Sequence, residues 1–305
     1  MHAMPAKIKI GTRGSELALW QANHVAERIG HDRVEIVIIK TQGDRIQNVS
    51  FDKMEGKGFF TKEIEEALLA RTVDLAVHSM KDLPVEETPG LVVAAVLERE
   101  DPSDVLLVRD DRRDAARPFG LPAGAVVGTS SLRRAAQIRA IAPDIDVRPL
   151  RGNVGTRIRR LAEKRFDAIM LARAGLVRLA PAIDGMTMEP IPLDRFLPAP
   201  AQGALALQVR ADDAELIGVI RALDHADTRR SVTAERSFLM HFGGGCQIPL
   251  GAYARLENGA IILDGVVASR DGITIVRGNV SGSDPERVGA DCAHQLKKQG
   301  ADSLL

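Results

Sequence analysis

Four polar segments combine small side chains with cationic ones, and each follows directly on an apolar run. They are Thr12-Arg13-Gly14-Ser15, His78-Ser79-Met80-Lys81-Asp82, Thr129-Ser130-Ser131-Leu132-Arg133-Arg134 and Arg151-Gly152-Asn153-Val154-Gly155-Thr156-Arg157. A guanidinium group matches a carboxylate with two parallel hydrogen bonds, and small residues let a ligand approach the backbone. The repetition of this combination favours a small ligand with several carboxylates over solvated arginines beside ordinary helix caps.

Asp82 is the candidate for acid–base chemistry. It follows an apolar run and precedes Leu83-Pro84, which predicts a firm turn. A carboxylate among cationic groups stays ionised and can stabilise a cation that forms in a reaction. The alternative is that Lys81 and Asp82 form a surface ion pair, or that Asp82 bonds only to the backbone of its turn.

Cys246 follows three glycines, which leave room around its thiol for a bulky partner. No second cysteine stands at C-x-x-C spacing, so we predict no metal site there. From the residues alone, Cys246 is a nucleophile, a covalent anchor or an inert thiol. Cys292 lies at an amphipathic position of the last predicted helix, and we expect it to be buried. Four histidines have no mutual spacing typical of a zinc site, and we interpret them as structural. They are His24, His78, His225 and His241.

Composition excludes several classes of function. The 305 residues carry 41 Lys+Arg and 41 Asp+Glu, and this balance is not that of a nucleic-acid-binding protein. Neither a Walker A loop nor a G-x-G-x-x-G segment after the first strand is present, which disfavours nucleotides. With no signal-peptide pattern, no apolar stretch of roughly 20 residues and two cysteines, we expect a cytoplasmic protein without a membrane partner.

Alternating strands and helices predict two α/β domains with mostly parallel sheets, followed by an α+β domain with an antiparallel sheet. The predicted strands are Lys7–Ile10, Val34–Ile39, Val73–His78, Leu91–Leu97, Val126–Gly128, Val147–Leu150, Ala168–Leu171, Gly203–Val209, Gly251–Leu256, Ile261–Val267 and Ile273–Arg277. We interpret Val34–Ile39 as an apolar run, interrupted at Glu35, and expect a strand buried on both faces. We expect the carboxyl ends of the strands in the α/β domains to hold the ligand.

Caps and breakers bound the predicted helices. Ser15 caps a helix that Gly30 ends, and Thr61 caps a second helix through Ala70. Further helices open at the Thr129 and Arg151 segments, and others are predicted over Thr228–His241 and about Pro285–Gln299. Glu98–Asp104 is interpreted as a linker, and the long polar loop Thr41–Gly58 as a lid or binding loop.

The segments that carry this chemistry resemble the porphobilinogen deaminase family, also called hydroxymethylbilane synthases, over nearly the whole chain. The matching strings, in family order, are Gly11-Thr-Arg-Gly-Ser-Glu-Leu-Ala-Leu-Trp-Gln21, Gly56-Lys-Gly-Phe-Phe60, Ala76-Val-His-Ser-Met-Lys-Asp-Leu-Pro84, Gly128-Thr-Ser-Ser-Leu-Arg-Arg134, Arg151-Gly-Asn-Val-Gly-Thr-Arg157 and Gly244-Gly-Cys-Gln-Ile-Pro-Leu-Gly251. The resemblance implies that four porphobilinogen molecules condense head to tail into hydroxymethylbilane with release of ammonia, in tetrapyrrole biosynthesis. It also implies a monomer with no nucleic-acid partner.

The same resemblance implies a dipyrromethane cofactor, bound through a thioether to Cys246, and Asp82 as the catalytic residue. The implied cofactor contacts are Lys81, Asp82, Thr129, Ser131, Arg133, Arg134, Arg157 and Gly175. The implied substrate contacts are Arg13, Ser15, Arg151, Arg157 and Arg178, and the flexible loop contributes Lys57 and Phe60. The family fold implies two lobes like those of periplasmic binding proteins, joined by a two-strand hinge, and a third domain.

We therefore predict three domains. The first comprises residues 1–101 and 199–219, the second comprises residues 102–198, and the third comprises residues 220–305 and carries the cofactor cysteine. Two positions depart from the family pattern: Ala199-Pro-Ala-Gln-Gly203, where Val-Gly-Gln-Gly is usual, and Arg173, where a small apolar residue is common. A non-catalytic two-lobed binding protein would need neither Cys246 nor Asp82. An RNA-binding protein would interleave aromatics with the arginines, and aromatics are only 3% of this chain.

Overall fold

The computed structural model describes residues 7–42, 61–244 and 248–305. Its strands are β1 (Ile8–Thr12), β2 (Val34–Ile38), β3 (Leu75–Ser79), β4 (Leu91–Val96), β5 (Asp104–Arg109), β6 (Val126–Gly128), β7 (Asp146–Arg148), β8 (Ala168–Ala172), β9 (Met186–Pro190), β10 (Leu205–Arg210), β11 (Leu250–Glu257), β12 (Ala260–Ala268) and β13 (Ile275–Gly282). Its helices are α1 (Glu16–Ile29), α2 (Lys62–Leu69), α3 (Leu132–Ile141), α4 (Val154–Ala162), α5 (Arg173–Leu179), α6 (Ala214–Arg221), α7 (Ala226–Met240) and α8 (Pro285–Lys298). Within these ranges, no helix has the length and apolarity that crossing a bilayer requires.

The chain divides into two compact units. The first comprises residues 1–100 and 204–230, and the second comprises residues 101–203 and 231–305. The chain therefore leaves the first unit after Glu100 and returns to it at Ala204. The last boundary falls inside α7. The predicted limits of three domains are not tested by this division and stay a prediction.

The first unit is built on a five-stranded sheet in the order β2-β1-β3-β10-β4. β1 is parallel to β2 and β3, whereas β10 is antiparallel to both of its neighbours, β3 and β4. The sheet is thus mostly parallel, with one reversed strand, and the predicted return of the chain through Gly203–Val209 is confirmed in β10. Apolar residues of the strands, α1 and α6 form one core, and α2 packs on a second cluster.

The prediction for Val34–Ile39 was wrong in one respect. The residues form a strand, but β2 lies at the edge of the sheet, and only Val34 is fully buried. The side chain of Ile38 is 57% exposed. Glu35 interrupts the apolar run and is exposed, so the pattern is not that of a strand buried on both faces.

The second unit contains a sheet in the order β7-β6-β8-β5-β9, again with one reversed strand, β5. β5 begins at Asp104, where a linker was expected, and neither β5 nor β9 was among the predicted strands. The interpretation of Glu98–Asp104 as a linker was therefore wrong at its last residue. Val105, Leu107 and their neighbours fill the core on both faces of this sheet.

The second unit also holds the antiparallel sheet β11-β12-β13, covered by α7 and α8. Asn258 and Gly259 have φ values of 51° and 81°, as expected for the tight turn that joins β11 to β12. Cys292 is fully buried in α8, as predicted, and burial raises the pKa of its thiol to about 12. The predicted α/β class with a small α+β part is thus confirmed.

Candidate active site

Ser15 connects the end of β1 to α1. Its side chain accepts a hydrogen bond from the Ala18 backbone N–H at 3.4 Å, which confirms the predicted helix cap. Thr12 is buried and donates to the Ala18 carbonyl at 3.2 Å. Arg13, between them, is half-buried. A cation and a capped helix start therefore lie together at this strand end, which is the arrangement that suits an anion.

Asp82 ends the 3₁₀ turn Met80–Asp82, which directly follows β3. The turn is anchored by the buried side chains of Met80 and Leu83, and the Leu83 N–H donates to the Met80 carbonyl at 3.2 Å. Asp82 itself is exposed and Lys81 is half-buried. The structure thus places the predicted carboxylate in a firm turn with access to solvent, as the position before Leu83-Pro84 predicts.

Ser131 caps α3, accepting from the Arg134 N–H at 3.4 Å, and it donates its own N–H to Thr129 Oγ1 at 3.2 Å. The two arginines that follow are almost fully buried, at 5% and 6% exposure. Arg133 Nη1 donates to Asp104 Oδ2 at 2.6 Å and to the Leu197 carbonyl at 2.8 Å.

Arg134 binds the other oxygen of the same carboxylate. Its Nε and Nη2 donate to Asp104 Oδ1 at 3.1 Å and 2.6 Å, and its Nη1 donates to the Met170 carbonyl. Gln202 Nε2 donates to Asp104 Oδ1 at 2.9 Å and to the Pro102 carbonyl at 2.7 Å. Asp104 is therefore the centre of a buried cluster at the first strand of the second unit.

Among the residues that the structure describes, this cluster pairs two guanidiniums with one carboxylate. Burial alone would raise the pKa of Asp104, but the charges and hydrogen bonds of Arg133 and Arg134 outweigh it and hold that pKa far below its usual range. Burial also lowers the pKa of the Arg133 guanidinium. Two guanidiniums and one carboxylate leave one net positive charge, and a buried net charge is costly. The cluster consequently suits a further carboxylate.

Asn153 caps α4 at the next strand end, accepting from the Thr156 N–H at 2.8 Å. Arg157 Nε donates to the Gly152 carbonyl at 2.8 Å, and the Arg151 carbonyl accepts from Arg160 Nη1 at 3.1 Å. Arg151 and Arg157 are both half-buried. The segment thus repeats the capped helix start with arginine beside it.

Three further residues follow β8. Arg173 Nη1 forms an ion pair with Asp101 Oδ2 at 2.7 Å, which accounts for an arginine at this position. Gly175 is buried in α5, and Arg178 Nη2 donates to the Gly203 carbonyl at 2.6 Å. Both arginines thereby hold segments that flank the points where the chain leaves and rejoins the first unit.

Three predicted site residues, Lys57, Phe60 and Cys246, lie outside the described residues. Of the expected lid Thr41–Gly58, only Thr41 and Gln42 are described. Sequence reasoning missed Asp104, because it was assigned to the linker. The apolar run Asp104-Val-Leu-Leu-Val-Arg109 was the signal that a strand, and hence a buried carboxylate, begins there.

Comparison with known proteins matches two family models. Residues 8–218 match the porphobilinogen deaminase dipyromethane cofactor binding domain, and residues 229–298 match the porphobilinogen deaminase C-terminal domain. The porphobilinogen deaminase of Desulforudis audaxviator is 48% identical, over 99% of this chain and 98% of its own. That of Brevibacillus brevis is 47% identical, over 98% and 96%. Among solved structures, the periplasmic VFT2 domain of Bordetella pertussis BvgS matches with a TM-score of 0.42 and 12% identity, over 71% of this chain and 86% of its own.

Proposed function

The chain belongs to the porphobilinogen deaminase family, and we propose that it performs the family's condensation with Asp82 as its catalytic residue. Four porphobilinogen molecules are joined head to tail into hydroxymethylbilane, and each addition releases ammonia. The observation that carries the role of Asp82 is its place at a strand end, exposed, in a turn fixed by buried neighbours. We further propose that the protein is a monomer in the cytoplasm.

Asp82 has three tasks in each addition. Its carboxyl group delivers a proton to the amine nitrogen of porphobilinogen, so that the C–N bond breaks and ammonia leaves. The resulting carboxylate then stabilises the cation left on the substrate's methylene carbon, and afterwards accepts the proton that the new C–C bond displaces. A side chain in a firm turn suits these tasks because proton transfer needs hydrogen-bond reach at each stage.

Each pyrrole carries carboxylates, so the binding residues are sought among cationic and hydroxyl side chains. We assign substrate contacts to Arg13, Ser15, Arg151, Arg157 and Arg178. Contacts with the dipyrromethane cofactor are assigned to Lys81, Asp82, Thr129, Ser131, Arg133, Arg134, Arg157 and Gly175. Lys57 and Phe60, which lie outside the described residues, are assigned to the site from the family resemblance alone. The net positive charge of the cluster of Arg133, Arg134 and Asp104 supports this assignment, because a pyrrole carboxylate would balance it.

The cofactor fits the chemistry of this donor set, which is cationic and hydroxylic. When it is bound through a thioether to Cys246, it supplies the pyrrole α-carbon to which the first substrate is joined. The residues of the chain then hold the carboxylates, orient the amine towards Asp82 and move the proton at its carboxyl oxygen.

Replacement of Asp82 by Asn tests this proposal. The amide cannot deliver or accept the proton, so turnover of porphobilinogen should fall by roughly 10²- to 10⁴-fold. Asp32→Asn, an exposed aspartate of the same unit, is the control and should keep normal turnover. An Asp82→Asn protein that works at the normal rate would show that the catalytic assignment is wrong.

Intact mass of the same preparations tests the cofactor. Wild type and Asp82→Asn should both exceed their sequence mass by two linked pyrrole units, whereas Cys246→Ala should have its bare mass. A bare wild-type chain from a haem-synthesising host would rule out covalent attachment.

A further inference from the structure

The last residues of β3, which lead into the turn with Asp82, are held by side chains from both faces of their sheet. Along the sheet itself, the reversed strand β10 pairs with β3, and Ser79 lies opposite Leu205. The Met80 N–H continues this pairing beyond the strand by donating to the Ala204 carbonyl at 3.0 Å. The backbone of the turn is therefore fixed directly to β10.

On one face, three buried polar side chains form a chain of hydrogen bonds. Gln208 Nε2 donates to Glu65 Oε1 of α2 at 2.9 Å, and Gln208 Oε1 lies 3.1 Å from His78 Nε2. The Glu65 carboxyl oxygen accepts this bond from the amide N–H, so Glu65 fixes which way the Gln208 amide faces. The amide oxygen then requires a hydrogen on His78 Nε2. Glu65 thus sets the orientation of Gln208, and Gln208 sets the tautomer and orientation of His78.

On the other face, α1 supplies a second contact. Gln21, 3% exposed, donates from Nε2 to Ser79 Oγ at 2.9 Å. His78 and Ser79 are consecutive, so their side chains point to opposite faces of the sheet. The final two residues of β3 are therefore each fixed by a glutamine, one from α1 and one from β10.

We propose that Gln208 is a positioning residue for the reaction: by binding His78 and Glu65 together, it holds the end of β3 and so sets where Lys81 and Asp82 stand. The inference rests on the proposed role of Asp82. Gln208 touches none of the reacting groups, and it acts through His78, four residues before Asp82. Burial lowers the pKa of His78 to about 4, although its hydrogen bond with Gln208 opposes this shift, so the imidazole is neutral near pH 7. The neutral ring needs no counter-ion, which is why an amide suffices as its partner.

Kinetics of Gln208→Met test this inference in the holoprotein. Methionine keeps the volume and removes both hydrogen bonds, so the end of β3 should lose its fixed position. A displacement of about 1 Å at the reacting group can cost about 100-fold in rate. We expect kcat to fall by roughly 10- to 100-fold while KM changes by less than about threefold. The imidazole ¹⁵N spectrum of His78 should change from the Nε2–H tautomer to a mixture.

Val209→Ala is the matched control. Val209 neighbours Gln208 on β10 but faces the apolar core on the opposite side, so its truncation should lower the melting temperature and leave kcat unchanged. Gln208→Asn serves if methionine prevents folding, because its amide is one methylene too short to reach both His78 and Glu65.

Two outcomes would overturn the inference: kcat of either Gln208 variant within twofold of wild type, or an unchanged His78 tautomer. These results are distinct from a failure of the proposed function. If Asp82→Asn loses turnover while Gln208→Met keeps it, only the positioning role is wrong. If Asp82→Asn stays active, the catalytic assignment itself is wrong.

Discussion

The sheets β2-β1-β3-β10-β4 and β7-β6-β8-β5-β9 have the same order of strand directions, with the fourth strand reversed in each. In both, the reversed strand carries a buried polar residue that ties neighbouring elements together. At the end of the first sheet that leads to Asp82 this residue is Gln208, bonded to His78 and Glu65. The opposite end of β10 carries the buried Arg210, which pairs with Asp74 and Asp213. In the second sheet the buried polar residue is the charged Asp104, bonded to Arg133 and Arg134. The strand end that leads to Asp82 is thus held by an uncharged amide, whereas Asp104 of the second sheet is the centre of an ion cluster with two arginines.

This difference separates two tasks. The cluster of Arg133, Arg134 and Asp104 in the second sheet carries a net positive charge that suits an anionic ligand. In the first sheet, Gln208 and His78 fix the end of β3 through an amide and an imidazole, and the buried cation Arg210 lies at the other end of β10. We infer that the topology sets where the two strand ends lie, and that the reversed strand determines what each one does.

Among the changes that test this comparison, removal of the Asp104 carboxylate should cause the largest loss of stability. Asp104→Ala leaves two buried guanidiniums without a carboxylate, and breaking a buried ion pair costs about 3–5 kcal/mol in the free energy of unfolding. Urea denaturation measures this loss, with exposed Asp111→Ala as a control that should change little. Loss of stability no greater for Asp104→Ala than for Gln208→Met would mean that the two reversed strands do not differ as described.

Acidification should weaken the first unit before the second. His78 has its pKa lowered by burial from 6.5 to about 4, so the unfolded chain binds more protons between these values. Its contribution is complete above pH 6.5 and is lost as the pH falls towards 4, a total of about 3 kcal/mol. Asp104 also has a lowered pKa, but its contribution is lost only at still lower pH.

Amide hydrogen exchange of β3 and β8 at pH 7 and pH 5 checks this expectation. Protection should fall in β3 and hold in β8, and His78→Gln should reduce the pH dependence of β3. Equal losses in both strands would contradict the assignment to His78.

Substitution of glycine in β1 or β6, which occupy the same place in the two strand orders, should cause the smallest loss of stability of the three predictions. A Cβ on Gly128, at the end of β6, would lie 2.8 Å from Leu150 Cδ2 and 2.9 Å from Phe166 Cδ1. A Cβ on Gly11, in β1, would meet Val73 Cγ2 and Ile39 Cδ1 at 3.0 Å and 3.1 Å. Overpacking costs about 1–3 kcal/mol, so Gly128→Ala should lower the urea midpoint clearly and Gly11→Ala less. The reverse order would show that the first core is the tighter one.

Local signals predicted much of this fold. Ser15 before an amphipathic run acts through a hydrogen bond to a residue three positions away, so the sequence displays this signal directly. The same holds for the turn at Asn258-Gly259, which depends on the torsions of two adjacent residues. Thr61 shows the limit of such signals: it occupies the cap position of α2, but its side chain forms no capping hydrogen bond.

Residues that depend on distant partners could not be assigned in the same way. Arg133 and Arg134 are typical of carboxylate binders by type and place, yet their nearest carboxylate is Asp104, about thirty positions away. Gln208 and Glu65 gave no signal at all, because a polar residue in an apolar run is noticed only once its partner across the sheet is known. Side-chain pairs across strands are set by topology, which the local pattern does not contain.

The positions of the two reversed strands along the chain also determine when each sheet can be completed during synthesis. All five strands of the second sheet lie between Asp104 and Pro190. The first sheet has four strands between Ile8 and Val96, and its fifth strand, β10, is made only at Leu205–Arg210. A chain emerging from the ribosome can therefore complete the second sheet while β3 and β4 still have exposed edges. The strand end that presents Asp82 is consequently completed late, when β10 pairs with the facing edges of β3 and β4.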